Sequence, residues 1–279
     1  MVPELVLALF AFLFGLAVGS FLNVVALRLP EGRSVVRPRS ACPSCGARIA
    51  WYDNVPLLSY MLLRGKCREC GAAISPVYPA GELATGLLFG LAVLVHGPTL
   101  QLIPDFLLLS GLVLTVHTDL RHWIVLDEVS IGGVVAGFGL SFLPGGVAPP
   151  GSAIAAAGAF LLFLGVRAVS MVVLRRRPGY VKVPEGEEDD ESWSGGLGWG
   201  DIKLAGMIGA FLGIVPTLVA LFLGFLSGAL VGGGLILLRG RDRRVPVPFG
   251  PFLALGAAVA LFWGRQIWDA YMALGASLA

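Results

Sequence analysis

Two aspartates lie at the ends of apolar stretches, where a charged side chain is costly. Asp119 ends one stretch in the run LTVHTDLRHW, and Asp201 begins another in GLGWGDIKL. An ionisable group this close to a bilayer favours a functional role. When two carboxyl groups share one low-dielectric site, their charges repel, so one keeps its proton while the other stays ionised. The ionised group can take a proton from water, and the protonated group can polarise a carbonyl. The two residues therefore predict aspartic-protease chemistry.

The residues around Asp201 fit that chemistry. Gly198 and Gly200 would let a substrate backbone approach closely, and Lys203 adds a cation two residues later. A helix N-terminus also favours a carboxylate through its dipole. The alternative is that these aspartates only cap helices, as we expect of Asp127.

Four cysteines form two tight pairs, which indicate a metal site. Cys42 and Cys45 make one C-x-x-C, Cys67 and Cys70 make another, and 21 residues separate the pairs. This spacing is typical of a four-cysteine zinc ribbon, in which the closed thiolate set is structural rather than catalytic. The alternatives are a reduced, metal-free insert, a disulfide pair if the orientation is inverted, and an iron–sulfur cluster, which no nearby chemistry supports.

The composition predicts an all-α polytopic membrane protein. The chain has 279 residues, of which 56% are hydrophobic and only 14% are charged. We expect no cleaved signal peptide, because the first apolar run is long and lacks a basic start. The predicted membrane helices number about eight, each near the length that crosses a bilayer: 4–27, 81–97, 100–118, 127–144, 152–174, 201–215, 217–238 and 249–274, with Pro216 marking the break between the sixth and seventh.

The placement of Lys and Arg predicts the orientation. Of 20 such residues, eight fall in 28–80, one in 119–126, four in 175–200 and four in 239–248. The alternate loops carry none, so the basic loops should face the cytoplasm and both termini the outside.

These features predict three domains. Residues 1–27 form the first transmembrane helix, 28–80 a cytoplasmic four-cysteine zinc-binding insert, and 81–279 a catalytic bundle of about seven helices with a cytoplasmic loop at 175–200. The acidic run 185–191 in that loop is expected to be solvated, and a weaker hypothesis is that it attracts a basic peptide.

Several stretches in this order resemble the type IV prepilin leader peptidases, the bifunctional peptidase and N-methyltransferase family. They are GSFLNVVALRLP, the twin C-x-x-C around DNVPLLSYMLLRGKC, ISPVYPAGEL, the GWGDIKL run and VPFGPFLALGA. The G-x-G-D element also resembles presenilin-type aspartyl proteases. The cysteine insert and PFGPF favour the prepilin enzymes.

The resemblance implies a bacterial inner-membrane enzyme acting at the cytoplasmic face. It would cut the basic leader from prepilins or pseudopilins and methylate the new N-terminus with S-adenosylmethionine. The family's catalytic aspartates fall on Asp119 and Asp201, its motif glycines on Gly198 and Gly200, and its zinc ligands on the four cysteines. One departure is Leu126, which stands where the family has proline.

Methyl transfer rests on the resemblance alone, because no strand with a Gly-rich loop is predicted. The cysteine insert and its flanks are the expected cofactor region, with Glu82 as a candidate polar group. The expected partners are prepilins and membrane lipid, and not nucleic acid. No pattern predicts the oligomeric state.

Two other classes of function are weighed against the enzyme. A non-enzymatic membrane scaffold could use the zinc insert as a docking module. A transporter would need acidic residues near the middle of the membrane, whereas Asp105 and Asp269 lie toward the outer ends of their spans. Arg167 and Arg265 lie deeper, and Arg167 could snorkel.

Overall fold

The computed structural model describes residues 2–175, 197–239 and 247–278. Within those ranges the chain is helical and contains no β-strand beyond two isolated bridges in the cysteine insert. The acidic run 185–191 lies outside the described residues. A short 3-10 helix spans Trp51–Asn54, and the α-helices are α1 Val2–Arg28, α2 Leu58–Leu62, α3 Val77–His96, α4 Leu102–His122, α5 Asp127–Leu140, α6 Pro149–Arg175, α7 Trp199–Leu212, α8 Ile214–Arg239 and α9 Gly250–Leu278.

Each of the eight predicted spans coincides with a helix, and five of these helices are long and apolar enough to cross a membrane. They are α1, α3, α4, α6 and α8. Helices α5 and α7 have only 14 residues each, which corresponds to about 21 Å at 1.5 Å per residue. The described part of the chain is therefore that of an all-α integral membrane protein.

The break between α7 and α8 lies at Gly213, not at Pro216 as the sequence predicted. Gly213 adopts φ of 71°, a left-handed value that glycine tolerates, and its N–H bonds the Gly209 carbonyl to close α7. Pro216 instead lies in the first turn of α8. A proline is tolerated there because the first-turn N–H groups have no partner within the helix.

The chain divides into two compact units, 1–123 and 124–279. In the first unit α1 packs along α3 through small residues. A Cβ on Gly15 would lie 2.8 Å from the Cα of Gly86, and one on Gly19 would lie 2.7 Å from the Cα of Glu82. These contacts leave no room for a side chain, so the two helices approach backbone to backbone, as membrane helices often do.

In the second unit α7 is the most enclosed helix, with every residue from Leu204 to Leu212 buried. A Cβ on Gly209 would clash with the Ala155 carbonyl of α6, which shows how closely these two helices pack. An aromatic cluster of Phe163, Phe225 and Phe249 joins α6, α8 and the start of α9. A short helix held on several sides can present its N-terminus in a fixed position.

Candidate active site and metal centre

Asp119 lies in the last turn of α4, in the first unit, and only 6% of its surface is exposed. The helix ends three residues later at His122, because Trp123 adopts a left-handed φ of 60° and its N–H bonds the Asp119 carbonyl. A buried carboxylate at the end of an apolar helix is costly to maintain for stability alone. Its placement at the helix end agrees with the sequence prediction.

Asp201 is the third residue of α7, in the second unit. Its Oδ2 accepts a hydrogen bond of 3.2 Å from the backbone N–H of Gly198, the residue that caps the helix. This is half of a capping box. The other half, in which the N–H of Asp201 donates to the side chain of the cap residue, is missing because Gly198 has no side chain. The bond from the Gly198 N–H orients the carboxylate beside the cap residue. It is also the contact that the capping alternative expects of Asp201.

The two motif glycines have different reasons to be glycine. A Cβ on Gly200 would lie 2.7 Å from the Cβ of Val125, so the start of α7 touches the segment that precedes α5. A Cβ on Gly198 would lie 3.3 Å from the Oδ2 of Asp201 and 4.0 Å from the backbone N of Gly200. Gly200 is required for packing, and Gly198 for the space beside the carboxylate.

Arg167 reaches the Asp201 motif from α6, and sequence reasoning missed this. Its Nη1 donates a 2.6 Å hydrogen bond to the carbonyl of Leu197, and its guanidinium lies 5.0 Å from the centre of the Trp199 ring. The sequence suggested only that Arg167 could snorkel. The arginine instead fixes the two residues that flank Gly198, through a hydrogen bond and a cation–π contact.

Lys203 forms an ion pair with Asp127, at 2.5 Å between Nζ and Oδ1. Asp127 is the first residue of α5 and not its cap, which corrects the expectation that it is an N-cap; the cap position belongs to Leu126. The ion pair ties the first turn of α7 to the first turn of α5. Lys203 therefore acts on the motif through a neighbouring helix.

Leu126 stands where the resemblance expects proline, and its backbone already has the proline geometry. Its φ is −67° and its ψ is 133°. A proline ring fixes φ near −65°, so the leucine keeps the local shape without the ring. The departure therefore leaves the approach to α5 in the form that a proline would impose.

The two C-x-x-C segments fold into matching loops. In each loop the N–H of the first cysteine donates to the carbonyl of the residue five positions later. Cys42 donates to Ala47 at 2.9 Å, and Cys67 donates to Ala72 at 2.8 Å. The glycine after the second cysteine adopts a left-handed φ, 72° at Gly46 and 69° at Gly71. The backbone N–H groups of Cys45 and then Ser44 hydrogen-bond the Cys42 thiol and lower its pKa to about 6. Both loops thus turn sulfur ligands inward.

The four sulfur atoms of the loops converge on one point. All four lie within 4.8 Å of one another, and the Cys42 and Cys70 sulfurs are 3.8 Å apart. A tetrahedral zinc with bonds of about 2.3 Å needs sulfurs about 3.8 Å apart, so the cluster fits a tetrahedral metal ion. The residues can hold a metal, as the sequence predicted.

Glu82 connects the insert to the membrane helices. It is buried in α3, and its Oε2 accepts a 2.8 Å hydrogen bond from the N–H of Leu57. Leu57 adopts a φ of 58°, a left-handed value that a leucine rarely takes. The carboxylate thus holds a strained turn of the insert against α3, a use that the sequence did not reveal.

The family models and curated relatives agree with these features. A model described as Bacterial Peptidase A24 N-terminal domain matches residues 13–96, and one described as Type IV leader peptidase family matches 106–233. No solved structure matches the chain.

The relatives include proteins named prepilin leader peptidase/N-methyltransferase. One from Myxococcus xanthus is 42% identical over 84% of this chain, and the chain spans 64% of that relative's length. One from Aeromonas salmonicida is 35% identical over 94% of this chain and 92% of the relative. One from Bacillus subtilis is 33% identical over 95% of this chain and 98% of the relative. The resemblance in the sequence is confirmed, and the chain belongs to the type IV leader peptidase family.

Proposed function

We propose that this chain is a membrane enzyme that removes the basic leader from type IV prepilins or pseudopilins and then methylates the new N-terminus. One observation carries the proposal: the Type IV leader peptidase match, residues 106–233, contains both the buried Asp119 and the helix-capping Asp201. We assign the hydrolysis to these two carboxylates acting as one pair.

The pair would work with one carboxylate ionised and the other protonated. The ionised group removes a proton from water as the water oxygen bonds to the scissile carbonyl carbon. The protonated group donates to the carbonyl oxygen and stabilises the tetrahedral intermediate. The intermediate then collapses and the C–N bond breaks. The leaving nitrogen takes the proton that the first carboxylate removed from water, and the carbonyl oxygen returns its proton to the other carboxylate. Leader and mature chain are the two products.

The two carboxylates lie in different local environments. Asp201 accepts the Gly198 N–H at the start of α7, whereas Asp119 is buried in the last turn of α4. Different surroundings of this kind can give two carboxylates different roles in acid–base catalysis.

Methyl transfer needs S-adenosylmethionine, which supplies the methyl group when it is bound. The new N-terminal amine would accept that group from the sulfonium and would lose a proton. In the described residues Glu82 is already engaged with the Leu57 N–H, so its first role is to position the insert. The residues that hold the cofactor are not assigned.

We infer that the metal is zinc and that it is structural. Four cysteine thiolates fill a tetrahedral site and leave no open position for substrate. The insert, residues 28–80, has little core of its own, and a metal can supply the folding free energy that it lacks. Zinc would thus hold together the part of the chain that Glu82 anchors to α3.

We also infer that eight helices, α1 and α3 to α9, cross the inner membrane of a bacterium. The asymmetry of Lys and Arg supports an orientation with the insert, Asp119 and Asp201 at the cytoplasmic face. The short helices α5 and α7 would cross with help from neighbouring helices or a thinned bilayer. A prepilin could then enter sideways with its apolar helix in lipid and its scissile bond near water.

Mass spectrometry of a pilin co-expressed with this chain tests the proposal. A mature pilin that is shortened by its leader and heavier by one methyl group supports both activities. Unprocessed prepilin across several candidate pilins would contradict the enzyme and favour the scaffold. A cleaved but unmethylated product would remove only the second activity.

A further inference from the structure

A cavity of about 390 Å³ lies where α1 ends and the insert begins. Phe21 and Val24, on the last turns of α1, contribute apolar lining, and the insert adds more apolar residues. The polar lining consists of Arg28, Arg39, Ser40 and Asn54. The cavity therefore combines apolar and cationic side chains.

The cations of this cavity are held in place or exposed to solvent. Arg28 donates from Nη1 to the carbonyl of Ser34 at 3.1 Å, which fixes its guanidinium beside the loop. Arg39 is exposed on the facing loop. None of the residues that line the cavity is acidic. Two guanidinium groups without a carboxylate favour an anionic ligand.

The charge of the lining favours an anion over S-adenosylmethionine. That cofactor carries a sulfonium and an ammonium against one carboxylate, so it is a net cation. Two arginines would repel it, and no carboxylate is present among the lining residues to hold its amine or ribose. A ligand with a negative head and an apolar body fits the cavity better.

The surroundings of the cavity identify that ligand as a lipid. Phe21 is on the exposed side of α1, a helix apolar enough to cross a membrane. Two large apolar residues of the insert that line the cavity are almost fully exposed, Trp51 at 82% and Val36 at 77%. The segment 28–80 also carries eight basic and three acidic residues. An exposed tryptophan with basic residues at a helix end is typical of a membrane interface.

We propose that this cavity binds the phosphate headgroup of an anionic phospholipid. Arg28 and Arg39 pair with the phosphate, Asn54 hydrogen-bonds the headgroup, and Phe21 with Val24 contacts the acyl chain. The bound lipid holds the insert against the membrane surface. The proposal rests on the proposed orientation of the insert, but lipid binding is measured independently of peptidase activity.

The test is native mass spectrometry of the full-length, delipidated protein titrated with phosphatidylglycerol. We expect one phosphatidylglycerol to bind more tightly than the rest and phosphatidylcholine to lack this step. An Arg28→Gln/Arg39→Gln variant should bind that lipid about 30-fold more weakly. Each arginine near an anionic surface contributes roughly fivefold to the affinity, and the two contributions multiply. Inorganic phosphate at millimolar concentration should not displace the lipid, since it lacks the apolar part.

The matched control is Arg48→Gln/Arg64→Gln, which removes two exposed arginines of the same insert outside the cavity. Equal weakening in both double variants would overturn the proposal, because the effect would then be general charge. Displacement by inorganic phosphate would overturn the lipid as the ligand. Arg39→Gln alone makes the test independent of the Arg28–Ser34 bond, and unchanged binding in that variant would also contradict the proposal.

Discussion

Gly200 shows how much of a catalytic motif can be packing. The sequence suggested that its missing side chain gives room to a substrate, whereas the structure shows that it gives room to Val125. The start of α7 can lie against Val125 only because Gly200 has no Cβ. The position of Asp201, one residue later, depends on that contact.

Gly200→Ala should therefore reduce leader cleavage on the order of 100-fold, because the first turn of α7 must move and a small displacement of a catalytic group is costly. Initial rates on a prepilin peptide measure this. Gly139→Ala in α5 is the control, since a Cβ there meets nothing within 4 Å. Adding Val125→Gly to Gly200→Ala should recover part of the rate, and no recovery would contradict the packing explanation.

Arg167 is a positioning residue for the same motif. Arg167→Leu should slow cleavage roughly 10- to 100-fold, because the Leu197 carbonyl and the Trp199 ring lose their partner. Methylation of a peptide that is already cleaved should be unchanged. The control is Arg265→Leu, another deep arginine that is exposed on α9. Full cleavage by Arg167→Leu would show that the contact has no role.

Residue types were easier to predict from the sequence than their partners. Asp119, Asp201 and the cysteines stand out because charge and thiols are rare in this apolar chain. The Arg167–Leu197 and Glu82–Leu57 bonds join residues 30 and 25 positions apart. Such pairings depend on helix packing, which no local pattern encodes.

At the scale of elements, α7 and α8 show where local patterns mislead. Proline is a strong sign of a helix end, yet Pro216 is inside α8 and Gly213 makes the break. The two residues are three positions apart in the sequence. The proline fits the first turn of α8 because a backbone N–H at that position would have no carbonyl partner within the helix. Helix existence followed from hydropathy, but the boundary depended on one left-handed backbone angle.

The ion pair between Lys203 and Asp127 links α7 to α5. Lys203→Met and Asp127→Asn should each lower cleavage less than about fivefold, because a partly exposed pair contributes little free energy. The double variant should be no slower than the slower single variant. Multiplied losses in the double variant would show that the two residues act separately.

At the scale of the whole molecule, the chain combines a cysteine insert with membrane helices. The sequence assigned the insert to its own domain at 28–80, and its packing groups it with α1, α3 and α4 in the first unit. Glu82 and the Asn23 side chain, which donates to the Tyr78 carbonyl at 3.1 Å, make contacts across that unit. Those contacts have no sequence signature, because both are single bonds to backbone.

The metal should stabilise the insert without holding the second unit together. The protein should contain about one zinc per chain, and Cys42→Ser/Cys67→Ser should contain none. Hydrogen exchange should then quicken in 42–72 and stay unchanged in 199–239. Ser44→Ala is the control, since it keeps all four sulfurs. Zinc retained without those two cysteines would contradict the assignment of the ligands.

The most direct measurement is the rate of leader cleavage by Asp119→Asn and Asp201→Asn, each compared with the unchanged protein. Asparagine keeps the shape of the side chain and removes its acid–base chemistry. We predict that each variant loses at least about 100-fold in cleavage while still methylating a peptide that begins at the mature N-terminus. Cleavage at the normal rate by either variant would contradict the shared role of the two carboxylates.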